Sequence, residues 1–255
     1  MNLGFVRVAA ATPEICVADC QHNKNEIIRL IKEANENGAS LVVFPELCIT
    51  GYTCGDLFLQ KTLTEGAKQA VTDIVKATAD LDIVSVVGLP VAVGGSLYNC
   101  GAVICKGKII CLVPKINIPN YSEFYEMRHF TPAENNMCQR VGFGELGEVD
   151  LATDVVFQST EFSDFTFGVE ICEDLWVSSS PSANLTTGGA NIIANLSASD
   201  EVIGKPAYRK SLIEITSASL ICGYVFADAG LGESTTDMVF SGNNLIAENG
   251  VTLQQ

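Results

Sequence analysis

FTFGVEIC (165–172) is a nearly continuous apolar run that ends on a thiol, and the acidic, aromatic turn EDLW (173–176) follows at once. Its length and its phenylalanine, valine and isoleucine content read as a buried strand. Two other runs have the same form: LVVFPE (41–46) ends on Glu46, and IICLVPK (109–115) ends on Lys115. Strands this apolar are covered on both faces, so they belong to sheets packed under helices. Their polar ends supply a thiol nucleophile, a carboxylate base and a cation, each held on a rigid element.

Outward from these runs, strand and helix signals alternate. GFVRVAAA (4–11) reads as a strand, and Asn23 with Glu26 predicts a capping box for the helix EIIRLIKEANENG. A second amphipathic helix is predicted from about Thr64 to Ala79. IVSVVGLP (83–90), LYNCGAVIC (97–105) and KIICLV (108–113) read as strands, the last two joined as a hairpin through Lys106-Gly107-Lys108. Residues 116–150 show no clear period and read as a long irregular segment of the kind that carries function. VVFQS (155–159), ANIIANL (190–196) and GYVFADA (223–229) are further strands, with a helix from Pro206 to Leu220 and a closing hairpin through Asn249-Gly250. The hairpins imply mixed sheets. No linker or low-complexity tract divides the chain, so residues 1–255 are expected to form a single α/β domain.

The 255 residues, 47% of them hydrophobic, can bury one large core. A formal net charge of −15 argues against nucleic acid and anionic membrane partners. The amino terminus lacks the pattern of a signal peptide, and no long apolar span occurs, so a cytoplasmic location is expected. The ten cysteines contain no CxxC pair and read as buried, reduced thiols, Cys172 excepted. His22 and His129 have no partners at ligand spacing, so no metal is expected, and the absence of G-x-S-x-G removes support for a serine hydrolase of that type.

A cysteine at this position can attack an amide or nitrile carbon and form a covalent thio-intermediate. Glu46 can take the thiol proton, return it to the leaving amine and then activate water. Lys115 can stabilise the thiolate, and it can serve with the Glu173 backbone N–H as an oxyanion donor. Taken singly, each of the three residues also has an ordinary structural reading: a turn carboxylate, a surface cation, a core thiol.

FPELCITGY (44–52), VPKINIPNYSEFYE (113–126) and GVEICEDLW (168–176) resemble the three signature blocks of the nitrilase, or carbon-nitrogen hydrolase, superfamily. The resemblance covers essentially the whole chain and implies a four-layer α-β-β-α sandwich with Glu46, Lys115 and Cys172 as catalytic residues. ELCITGYTCGDLF (46–58), NYSEFYEMRHF (120–130), ANLSAS (194–199) and GLGESTTD (230–237) look like the glutaminase branch attached to glutamine-dependent NAD synthetases. That likeness implies cleavage of glutamine to glutamate and ammonia through a thioester, with Tyr52, Tyr121, Phe124, Glu126, Glu173 and Ser199 around the substrate. Glu126, Glu173 and Ser199 would sit at its amino-acid end. It implies Glu123 as a carboxylate supporting Lys115, and Lys205 as a cation for the α-carboxylate. It also implies no cofactor for this domain, a homo-oligomer, and a carboxyl-terminal synthetase domain, using ATP and magnesium, that the chain lacks. A free-standing ω-amidase, carbamoylase or nitrilase-type hydrolase, and a catalytically inactive interaction domain, stay open as alternatives.

Overall fold

The computed structural model describes residues 4–255. Thirteen strands form two mixed sheets. The first sheet contains β1 (Val8–Ala10), β2 (Leu41–Val43), β3 (Val84–Val93), β4 (Ser96–Cys105), β5 (Lys108–Pro114), β6 (Cys138–Gly142) and β7 (Glu148–Ala152), in the order β1-β2-β3-β4-β5-β7-β6. The second contains β8 (Val156–Gln158), β9 (Thr166–Ile171), β10 (Ile192–Ser197), β11 (Gly223–Asp228), β12 (Leu245–Glu248) and β13 (Val251–Gln254), in the order β13-β12-β11-β10-β9-β8. β1, β2 and β3 run parallel, as do β9, β10 and β11; the hairpins add the antiparallel neighbours.

Alternation along the strands builds the layers. Leu41 and Val43 face the second sheet, where they join Val86, Val103, Val169, Ala194, Leu196 and Val225 in a core between the sheets. Val42, Val87, Leu89 and Ala102 point the other way, against Ile27 and Ile31 of α1 (Cys20–Glu36) and Ala67, Val71 and Ile74 of α2 (Lys61–Ala77). On the far side, Ile193, Tyr224 and Phe226 meet Leu185 of α3 (Pro181–Thr187) and Ile213 of α4 (Lys205–Leu220). Three cores separate four layers, so the strands are apolar on both faces because both faces are covered.

The structure revises several local expectations. α1 begins at Cys20, capped by the Asp19 carboxylate, which accepts from the Gln21 and His22 N–H groups. Asn23 therefore lies inside the helix and is buried. Its amide donates to the carbonyls of Cys16 and Ile49 and accepts from the Cys16 N–H, which ties α1 to the loop after β2. Part of the segment 116–150 is regular: β6 and β7 pair antiparallel, and β7 joins β5 at Leu112 and Leu151. α3 had no expectation attached to it. All ten cysteines are free, but Cys16 and Cys138 are exposed rather than buried. Among the described residues no helix is long and apolar enough to cross a membrane.

Candidate active site

The loop after β2 carries Glu46, the residue after β5 is Lys115, and Cys172 follows β9 directly. All three are buried. Glu46 and Lys115 come from the first sheet and Cys172 from the second, so the cluster bridges the two. Lys115 Nζ donates to Glu46 Oε1 at 2.6 Å and to Glu126 Oε1 and Oε2 at 2.8 and 2.9 Å. Asn99, on β4, donates through Nδ2 to Glu46 Oε1 at 2.6 Å, and the Ala198 N–H donates to Glu46 Oε2 at 3.1 Å. The carbonyl of Asn99 also receives the Lys115 N–H at 2.8 Å.

Cys172 sits in the left-handed region, with φ 46°, at the start of a short 3₁₀ turn, Cys172–Leu175. A cysteine there is unusual. Asp174 holds the turn: one carboxylate oxygen accepts from the Ile171 N–H at 3.0 Å, and the other accepts from the Asn117 backbone and side chain at 2.9 and 2.8 Å. Burial pushes the thiol pKa well above the ordinary range, and the Glu46 charge adds to this. Lys115 and the Ala198 N–H oppose it without prevailing. Lys115 therefore does not bring the thiol below its ordinary range. The reason is that two carboxylates already answer the ammonium. Burial works against the charge of Lys115 as well, but Glu126 and Glu46 together hold its pKa well above the usual lysine range. Burial, outweighing Lys115, raises Glu126 to about 7.

The second carboxylate that pairs with Lys115 is Glu126, where Glu123 was expected. Tyr121 and Phe124 close a turn, and the 3₁₀ turn Glu126–Arg128 follows; Glu126 points inward while Glu123 stays at partial exposure and forms no ion pair with Lys115 among the described residues. Glu126, expected at the amino-acid end of the substrate, is buried against Lys115 and Tyr52. Tyr52 is buried beside this group and donates to Glu126 Oε1 at 2.7 Å. Tyr121, 55% exposed, donates to both oxygens of Glu173 at 3.1 and 3.0 Å and meets Phe124 edge-on. Lys205 pairs with Asp200 and stands 5.6 Å from the ring centres of both Phe124 and Trp176. Ser199 is buried; its N–H donates to Asp228 at 2.8 Å and its hydroxyl accepts from Arg209 at 3.3 Å.

Asn99, Arg209 and Glu233 had drawn no attention in the sequence. The first was signalled by its place: a polar residue within the apolar run LYNCGAVIC. Arg209, almost wholly buried, pairs with Asp228 at 3.2 Å and donates to the carbonyls of Ser199 and Asp200, which holds the loop after β10. Glu233 accepts from the Thr53 N–H at 2.8 Å and so anchors the turn bearing Tyr52. Among the described residues no group of three or more histidine, cysteine or acidic side chains could hold a metal ion.

The sequence matches the carbon-nitrogen hydrolase family over residues 7–215. It is 39% identical over 254 residues to the glutamine-dependent NAD(+) synthetase of Mycobacterium tuberculosis, across 99% of this chain and 37% of that protein. The Thermotoga maritima enzyme of the same name is 28% identical over 244 residues, across 95% of this chain and 38% of its own. The chain thus spans well under half the length of these relatives. A crystal structure of a glutamine-dependent NAD(+) synthetase from Cytophaga hutchinsonii superposes with a TM-score of 0.86 at 30% identity, covering 98% of this chain and 40% of the other. An amidase of the nitrilase superfamily from Nesterenkonia shares the fold with a TM-score of 0.72 at 17% identity, covering 98% and 85%. On the match over most of its length, with two mixed sheets between helical layers, the chain belongs to the carbon-nitrogen hydrolase family.

Proposed function

We propose that the chain hydrolyses the side-chain amide of glutamine to glutamate and ammonia through a thioester on Cys172. The observation that carries this reading is the meeting of Lys115, Glu46 and Glu126 in one buried cluster beside Cys172. Glu46 takes the thiol proton as the sulfur attacks the amide carbon. The proton returns to nitrogen as the C–N bond breaks and ammonia leaves. Glu46 then removes a proton from water, which attacks the thioester and restores the thiol. Lys115 and the Glu173 N–H are the donors for the oxyanion in both halves. At the mouth, Glu173 complements the α-ammonium of glutamine, with Tyr121 fixing its carboxylate and Phe124 packing the methylene chain; Lys205 offers a cation to the α-carboxylate. Ser199 follows Ala198, whose N–H meets Glu46, and its role at the amino-acid end rests on the resemblance alone.

The ammonia would serve an NAD(+) synthetase domain, as the names of the relatives suggest; amidation of deamido-NAD with ATP and magnesium is what the resemblance to that branch implies. The test is release of ammonia and glutamate from glutamine by the purified chain beside Cys172→Ala. Release that vanishes in the variant supports the reading, with intact mass detecting the acyl-enzyme on Cys172. Turnover of simple aliphatic amides with none of glutamine would favour a free-standing amidase instead.

A further inference from the structure

Asn99 touches two members of the reacting cluster at once. Its carbonyl receives the Lys115 N–H, and its side-chain amide donates to Glu46 Oε1. It is 1% exposed and sits within β4, between β3 and β5, opposite Pro90 of β3 and one residue before Cys100, which pairs with Pro114 of β5. Its own Oδ1 has no hydrogen-bond partner among the described residues, so packing alone does not explain a buried amide at this point. A leucine or serine would spare the chain an orphaned acceptor. The amide stands where its N–H meets a carboxylate.

The two oxygens of Glu46 are not equivalent. Oε1 accepts from both Asn99 Nδ2 and Lys115 Nζ, each at 2.6 Å. Those two donors use both in-plane lone pairs of that oxygen. Among the described residues Oε2 accepts only the Ala198 N–H, at 3.1 Å, which leaves it a further lone pair. The same Ala198 N–H also acts to lower the Cys172 pKa.

We infer that Asn99 is a positioning residue that saturates Oε1, so that Oε2 is the atom that exchanges the proton with Cys172. This deepens the proposed reaction and rests on Glu46 acting as its base, but not on the identity of the substrate. The proton passes from sulfur to Oε2 and back, while Oε1 keeps its two donors throughout. Without the amide the carboxylate is free to rotate, and the occupied and free oxygens can exchange places. A donor that favours the charged carboxylate is also lost.

The experiment follows alkylation of Cys172 by iodoacetamide across a pH series, read peptide by peptide, in the wild type, Asn99→Ala and Asn99→Asp. The aspartate keeps the volume and replaces the donor with oxygen, which guards against a packing defect in the alanine variant. The expected result in both variants is a Cys172 rate about ten- to a hundredfold lower at neutral pH, from loss of one hydrogen bond to a charged group. The onset should move to higher pH. The buried Cys48 and Cys222 should stay as protected as in the wild type, which reports intact structure, while the exposed Cys16 and Cys138 report equal reagent. Glutamine turnover in the same samples should lose kcat and keep KM. Wild-type rate and onset at Cys172 in a folded variant would overturn the assignment, as would failure of the wild-type Cys172 to react. Altered alkylation with no glutamine turnover in any sample would retain the role of Asn99 and remove the glutaminase reading.

Discussion

One ammonium faces two carboxylates in the buried cluster, so the deletion of Lys115 leaves like charges together. Lys115→Met is expected to cost about 3–5 kcal/mol at mildly alkaline pH, the usual penalty for stranding a buried ion. Much of that should return at mildly acidic pH, where one carboxylate takes up a proton. Urea unfolding at the two pH values checks this; an equal loss at both would contradict it. Turnover should be absent at either pH. At this scale the sequence was partly legible. Glu46, Lys115 and Cys172 announce themselves because each ends an apolar strand. Glu126 does not, since the choice between it and Glu123 depends on how the turn from Tyr121 to Arg128 coils, and that is set by the burial of Phe124 rather than by spacing. Asn99 carries its signal in the strand that contains it, but its partner lies 53 positions away in sequence.

Elements bring the reacting groups within reach by packing backbone directly on backbone. A methyl group on Gly88 of β3 would lie 2.4 Å from the Leu47 nitrogen and 2.5 Å from the Pro45 carbonyl oxygen. Both atoms flank Glu46 and neither is a flexible side chain. Gly88→Ala is therefore expected to destabilise the fold by about 1–3 kcal/mol, as overpacking does. It should also lower kcat far more than KM, because it moves the base without touching the substrate end. Normal kcat in a folded Gly88→Ala protein would show that the loop yields at no cost. Strand and helix periods were readable for most elements, including the β4–β5 and β12–β13 hairpins but not the β3–β4 hairpin. β6 and β7 were not, because glycine and acidic residues interrupt a strand that meets β5 only at one residue pair. The start of α1 was misplaced because Asn23, with the chemistry of a cap, is spent on joining the helix to the Glu46 loop.

Across the whole molecule, stability should depend on pH in the direction opposite to ordinary acid unfolding. Burial raises Glu126 from 4.5 to about 7 and Asp174 from 3.8 to about 6. Between those limits the folded chain holds protons that the unfolded chain has released. The folded state then binds more protons, so stability is greatest below the window and falls as pH rises through it. The net charge of −15 adds self-repulsion in the same direction. The melting temperature should drop from about pH 5 to about pH 8, by about 2–4 °C for each kcal/mol lost in a chain of this size. A rise over that interval would mean that other groups dominate. The four layers give the bridging site one more property. Base and ammonium ride on one sheet and the thiol on the other, so the reaction measures the gap between them, like the jaws of a calliper. Trimming Val86 or Leu196, whose side chains fill that gap, would blunt the instrument; trimming Val71, outside it, would merely loosen the handle.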